Sequence, residues 1–349
     1  MMDLNLLNDL QLETLTQLVQ NHDNIIVCGH KSPDGDAIGA ILGWGEFLKS
    51  KGKTYQLIVP DAFPDFLKWM PGNETIIRYD KHKEEVEKAF ADAQLVFCLD
   101  FNNTSRVFNM QEVLDNSPAK KILIDHHENP DIEAELVLSF PTMCSTCELL
   151  FRILWQMGEF PAMPKTAAVN LYAGMMTDTG GFTYNSTRPE IYFIIGQLLT
   201  KKIDKDKIYR NVYNQLSEYC VRLRGYVMNQ KLTVIQGTHA SYFTLTKSEM
   251  KKYHFIKGDA EGLVNEPLRI KGMRLSISLR EDTERPNLIW VSLRSVDQYY
   301  CNVLAEKFFN GGGHKNAAGG KLYCSMEEAE QTVHRAILFF AANDGIIKQ

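Results

Sequence analysis

The chain of 349 residues contains no apolar run that approaches membrane-spanning length, so a helical membrane segment is not expected. The stretch Met1 to Gln20 alternates apolar side chains with Asp, Asn, Gln and Glu and lacks the basic opening of an export signal, so no signal peptide is expected either. Positive charge is not in excess. With 38 Lys and Arg against 43 Asp and Glu the net charge is −5, which argues against a protein that coats nucleic acid or long duplexes and confines any nucleotide contact to a local pocket. The cysteines are odd in number and scattered, with Cys28 and Cys98 inside apolar segments, the usage of reduced thiols in a cytoplasmic protein. Nothing completes a zinc site around Cys144-Ser-Thr-Cys147: no second CxxC or His pair stands at matching spacing, so this CxxC reads as a coincidence at a helix start.

What is present is ordinary globular composition, 44% hydrophobic and 23% charged, at a length comfortable for two domains. The segment Ile122-Leu-Ile-Asp-His-His127 is an apolar run that stops at an acid and two imidazoles. A polar turn after a strand would also read this way, but the design recurs upstream. Asn24 to Gly29 is a β-rich run that ends in His30-Lys-Ser-Pro-Asp34-Gly-Asp36, and Gln94 to Leu99 ends in Asp100 followed by a polar segment containing Arg106. Helical patterns follow at Ala37–Lys49 and Glu84–Ala91, and another strand at Tyr55–Val59. Strands alternating with helices imply an α/β fold with a parallel, doubly wound sheet, which lines up its strand carboxyl ends along one crevice.

After Asn129 the texture is helical (147–157, 165–176, 189–200 and 219–230), and one helix ends in Thr177-Asp178-Thr-Gly-Gly. Near Lys231 strand patterns return (232–235, 240–245, 273–279 and 288–293) and a helix closes the chain. The expected division is therefore 1–230, whose last helix is the connector, and 231–349, a smaller mixed-sheet α/β domain. The second domain carries Asn310-Gly-Gly-Gly-His314-Lys-Asn-Ala-Ala-Gly-Gly320. Five glycines in eleven residues point to positive φ or close approach to a ligand, and to a nest of N–H groups for a phosphate.

Four carboxylates (Asp34, Asp36, Asp100, Asp178) and two imidazoles (His30, His126) are too many for one acid–base pair, because like charges crowded together repel and take up protons. Divalent cations resolve the conflict, and an oxygen and nitrogen set without sulfur fits manganese best, with iron, cobalt or zinc also compatible. Asp125 would then orient a histidine.

In order and spacing, His30-x3-Asp34-x-Asp36, Asp100, Asp125-His126-His127, Asp178 and Gly-Gly-Gly-His314 resemble the successive motifs of the DHH/DHHA1 phosphoesterase family, from about Asn24 to Ala341. Among its members the chain is most similar to the short, two-domain nanoRNase and pAp-phosphatase (NrnA-like) branch. The resemblance implies two Mn2+ ions, one on His30, Asp34 and Asp100 and one on Asp36, Asp100, His126 and Asp178, with Asp100 bridging. It further implies that Asp125 and His127 serve catalysis, His127 at the scissile phosphate. Gly312, Gly313 and His314, with Arg294 and Ser295, would hold the nucleotide across an interdomain cleft, and Arg106 is a further phosphate clamp. The implied substrates are short single-stranded RNA and 3′-phosphoadenosine 5′-phosphate (pAp), with cyclic di-AMP or pApA as the alternative. A homodimer is left open, and no motif accounts for the CxxC.

Overall fold

The computed structural model describes residues 3–256 and 258–343. The chain divides between Gln215 and Leu216 into two compact units. The first begins with α1 (Asp9–Asn21), which a reciprocal pair of hydrogen bonds between Asn8 and Gln11 caps. There follow β1 (Ile25–Cys28), α2 (Gly35–Ser50), β2 (Tyr55–Val59), β3 (Ile76–Arg78), α3 (Lys83–Asp92), β4 (Leu95–Leu99), α4 (Gln111–Asp115), β5 (Lys120–Asp125) and β6 (Leu136–Ser139). Four helices complete it: α5 (Thr146–Gln156), α6 (Lys165–Asp178), α7 (Pro189–Thr200) and α8 (Lys205–Tyr213).

The six strands lie in the order β3-β2-β1-β4-β5-β6, and every pairing is parallel. The chain thus builds outward from β1 to β3, returns to the middle, and builds outward again from β4. Ligands of such sheets bind outside the carboxyl ends where the direction reverses, here between β1 and β4. Residues of β1 alternate between two cores. Ile25 and Val27 join α2, α5 and α6 on one side, while Ile26 and Cys28 join α3 and the segment around Met110 on the other. Burial on both faces explains why β1, β4 and β5 are continuous apolar runs. The edge strands β3 and β6 are short and only partly buried, so no comparable run announces them.

Helices α2 and α6 cross at very close range. A methyl group on Gly39 would stand 2.6 Å from the Asn170 carbonyl, and one on Gly174 would stand 3.0 Å from Asp36 Oδ1. This contact brings the end of α6, with Asp178, beside the start of α2, with Asp36.

The second unit holds α9 (Glu218–Tyr226), β7 (Thr233–Ile235), β8 (Ala240–Leu245), α10 (Lys247–Lys252), β9 (Leu275–Glu281), β10 (Leu288–Ser295), α11 (Asn302–Phe308), β11 (Gly312–His314), β12 (Ala317–Tyr323) and α12 (Met326–Ala342). Its sheet is mixed, ordered β11-β12-β10-β9-β8-β7, with β8 and β9 parallel and the other neighbours antiparallel. One face packs on α11 and α12 through Ile277, Val291, Leu293, Leu304 and Ile337. On the other face Leu223 and Val227 pack with Phe243 and Leu245, so α9, the expected connector, is part of this unit's core.

The glycine-rich segment is an edge hairpin of β11 and β12 rather than an open loop. The reason is steric. A Cβ at Gly311 would collide with the Gly319 carbonyl, and one at Gly320 would sit 2.3 Å from the Phe309 carbonyl. These glycines let backbone approach backbone.

Candidate metal centre

Three strand ends and two helix ends of the first unit deliver the site. His30 follows β1, Asp100 follows β4, and Asp125, His126 and His127 lie at and after the end of β5. Asp34 is the N-cap of α2, Asp36 lies in its first turn, and Asp178 is the last residue of α6. Asp100 sits at φ 66°, a left-handed conformation uncommon for a residue with a side chain and characteristic of strained functional positions.

The two oxygens of Asp100 face different partners. Its Oδ2 is 3.6 Å from His30 Nε2, which is also 3.7 Å from Asp34 Oδ2. Its Oδ1 is 3.5 Å from His126 Nε2, which stands 3.5 Å from Asp178 Oδ2 and 3.9 Å from Asp36 Oδ2. Donor atoms of His30, Asp34 and Asp100 lie within 4.8 Å of one another, as do those of Asp36, His126 and Asp178, and those of Asp100, His126 and His127. These separations are too long for hydrogen bonds. They are close to the roughly 3.0–3.5 Å between neighbouring ligands of one cation at metal–ligand distances of about 2.0–2.2 Å.

Hydrogen bonds set the imidazoles for such a role. His30 Nδ1 meets the Lys31 carbonyl at 2.8 Å and His126 Nδ1 meets the Met143 carbonyl at 3.3 Å. A carbonyl only accepts, so each Nδ1 carries a proton and each Nε2 faces the centre, where its lone pair would serve a bound cation. His127 differs, because its Nδ1 lies 2.7 Å from Oδ1 of the fully buried Asp125. That carboxylate orients the ring, and its other oxygen has no hydrogen-bond partner among the described residues.

Charge is crowded. Burial and then the charge of Asp36 push the Asp100 carboxyl up to about 7. Burial, followed by Asp36, Asp34 and Asp100, holds the Asp178 carboxyl well above its ordinary value. Burial opposes a charged His30, but the neighbouring Asp100 and Asp34 carboxylates outweigh it and raise the imidazole to about 10. Without a cation the cluster therefore keeps protons that a bound dication would displace.

Helix α5 supplies support that the sequence reading missed. The backbone N–H groups of Thr146 and Cys147 donate to the two oxygens of Asp36 at 2.6 and 3.0 Å, and the Thr146 hydroxyl donates to Asp100 Oδ1 at 2.9 Å. Behind them the buried Glu148 accepts from the Cys144 N–H, Arg152 and Arg188, so it anchors the segment whose Met143 carbonyl holds His126. The signal was Ser145-x-x-Glu148, a helix-start signature lying across the CxxC. Cys144 and Cys147 are buried free thiols in this turn, and burial first of all pushes both to higher pKa.

Arg106 is exposed in the 3-10 turn Thr104–Met110, and its carbonyl accepts from the Lys31 N–H at 2.8 Å. The remaining sequence candidates lie in the second unit. Arg294 and His314 both stand opposite Ala317, so they share one row and one face of that sheet, next to Gly312 and Gly313. Ser295, the neighbour of Arg294, points to the other face. It is buried, and its hydroxyl accepts from the Asn316 amide at 3.0 Å.

Fold and site define an open α/β protein with a carboxylate and imidazole metal pocket at the reversal point of its sheet. The chain belongs to the DHH family of phosphoesterases: the family's N-terminal domain matches residues 24–175 and the DHHA1 domain matches 242–342. A crystal structure of an exopolyphosphatase-related protein from Bacteroides fragilis is 47% identical, superposes with a TM-score of 0.93, and covers 96% of this chain and 97% of that one. The bifunctional oligoribonuclease and PAP phosphatase NrnA of Bacillus subtilis (strain 168) is 27% identical over 319 residues, 91% of this chain and 95% of that protein. RecJ of Thermus thermophilus, crystallised with Mn2+, shares the fold at 14% identity and a TM-score of 0.56, covering 98% of this chain and 56% of that one.

Proposed function

We propose that the protein is a divalent-metal phosphoesterase that hydrolyses very short oligoribonucleotides to nucleoside monophosphates and removes a phosphate from pAp. The observation that carries this reading is the division of Asp100, one oxygen towards His30 and Asp34 and the other towards His126, Asp36 and Asp178. One cation would be held by His30, Asp34 and Asp100, a second by Asp36, Asp100, His126 and Asp178. The donor chemistry fits manganese, and the RecJ structure with Mn2+ supports that choice. When bound, such a pair neutralises phosphate charge and activates water at neutral pH.

The chain's own residues do the rest. Asp36 and Asp100 are held by α5, so their oxygens stay aimed without rearrangement. Asp125 accepts the Nδ1 proton of His127 in a hydrogen bond and leaves Nε2 to hydrogen-bond the scissile phosphate or protonate the leaving oxygen. In the second unit Arg294 and His314 share a face near the β11 end of the sheet, beside Gly312 and Gly313, a grouping suited to a terminal phosphate and sugar, so this unit would bind substrate while the first performs catalysis. Seven cysteines support a reducing, cytoplasmic setting. Among the described residues no helix is long and apolar enough to cross a membrane.

Manganese-dependent turnover of pAp, a dinucleotide, a five-nucleotide RNA, cyclic di-AMP and inorganic polyphosphate tests the reading. The first two are expected to be the best substrates, and Asp100→Ala to lose turnover by several orders of magnitude. Preference for polyphosphate or cyclic di-AMP, or Asp100→Ala turnover equal to that of the wild type, would overturn it.

A further inference from the structure

Phe108 is an anomaly beside this site. It has φ 49° and ψ −113°, the conformation of the first central residue of a type II′ turn, where glycine dominates and a bulky side chain is strained. Its ring gains no burial in return, since the residue is 56% exposed. The turn does not depend on that ring for its shape, because Val107 and Met110 on either side are fully buried and anchor it. A strained backbone that presents an aromatic ring to solvent marks a position held for what it displays.

The surroundings indicate what is displayed. The ammonium of Lys31 lies 3.5 Å from the centroid of the Phe108 ring, over its face. Lys31 directly follows His30, its N–H donates to the Arg106 carbonyl at 2.8 Å, and its own carbonyl accepts from His30 Nδ1 at 2.8 Å. Ring and ammonium are thus fastened to the loop that carries a candidate metal ligand. Among the described residues Arg106 makes no side-chain hydrogen bond or ion pair. An exposed aromatic ring with one cation on a face, in a turn that also carries Arg106, fits a flat aromatic group that carries negative charge.

We propose that Phe108, with Lys31 on its ring, is the platform on which a nucleobase of the substrate stacks while the attached phosphate lies at the metal centre. This deepens the proposed function and rests on it. Stacking on an aromatic face tolerates every base, so the platform selects for nucleotides over inorganic phosphates without selecting among sequences.

The test uses full-length protein with manganese and measures binding of AMP and of inorganic phosphate by calorimetry, for wild type, Phe108→Gly and Phe108→Tyr. Phe108→Gly relieves the backbone strain, so its melting temperature is expected to rise, which separates loss of binding from misfolding. The ratio of AMP affinity to phosphate affinity is expected to fall about 10- to 100-fold in Phe108→Gly and to recover in Phe108→Tyr. An unchanged ratio in Phe108→Gly, or no recovery with tyrosine, would overturn the platform while leaving phosphoesterase activity standing. A wild type that binds AMP through Phe108 but hydrolyses no nucleotide would sink the activity and leave the platform standing.

Discussion

Stripped of divalent cations, the protein should lose stability as the pH rises from 5 to 8. Asp100 is 2% exposed, and burial with the charge of Asp36 raises its carboxyl from 3.8 to about 7. His30 is raised from 6.5 to about 10, the neighbouring Asp100 and Asp34 carboxylates overcoming burial. Each folded-state value exceeds the unfolded one, so each contribution is complete below the unfolded value and disappears as the pH climbs to the folded value. For Asp100 the loss between pH 5 and pH 7 is on the order of 2 kcal/mol, at about 1.4 kcal/mol per tenfold change in proton activity. His30 continues the decline above pH 6.5. At about 2–4 °C per kcal/mol, the melting temperature should fall by about 5–10 °C over the same interval. Saturating manganese should reverse the sign, because the cation displaces those protons and binds better as they leave. Thermal scans of chelated and manganese-loaded protein at four pH values read both slopes. Asp100→Asn should remove most of the decline below pH 7. A chelated wild type whose melting temperature is flat or rises across that range would refute the clustering of charge at Asp100.

Glu148→Gln leaves Arg152 and Arg188 without their shared carboxylate and should cost about 3–5 kcal/mol in urea unfolding; a cost under about 1 kcal/mol would show that the buried trio is not coupled. Gly174→Ala places a methyl 2.2 Å from the Cys147 sulfur and 3.0 Å from Asp36 Oδ1, so activity should drop at least tenfold, and Cys147→Ala in the same chain should restore most of it. If the double variant is as impaired as the single, that contact is not what the glycine relieves. Asp125→Asn replaces the carboxylate that fixes His127 with a neutral amide and should lower kcat by about 10²–10⁴-fold with manganese affinity unchanged in a titration; a parallel loss of metal affinity would instead place Asp125 among the ligands.

The parallel sheet was legible because β1, β4 and β5 are buried on both faces, which forces unbroken apolar runs, and because each run stops at a chemically distinctive residue. His30, Asp100 and His126 announced themselves by standing at those stops. Asp178 carried a weaker local signal, a carboxylate at a helix end, and its place beside Asp36 depends on the crossing of α2 and α6. That crossing is written in single glycines spread over two distant helices, which no periodicity reveals. The contribution of α5 was hidden for another reason: two of its hydrogen bonds come from backbone N–H groups, which any residue type supplies. The glycine-rich segment was legible as a place of positive φ and close approach: Gly313 has φ 140°, and the approach seen within the unit is of backbone to backbone in a hairpin.

The candidate ligands run from His30 after the first strand to Asp178 at the end of α6, and this order has a consequence during synthesis. A nascent chain has Asp34, Asp36 and Asp100 outside the ribosome well before the last carboxylate emerges. The incomplete cluster has fewer groups to grip an ion, so capture of a cation by Asp36, His126 and Asp178 would wait until the α6 segment has left the exit tunnel. Metal loading would then report that the chain through α6 has emerged, and a chain truncated before Asp178 would fold, if at all, with its acids still holding protons.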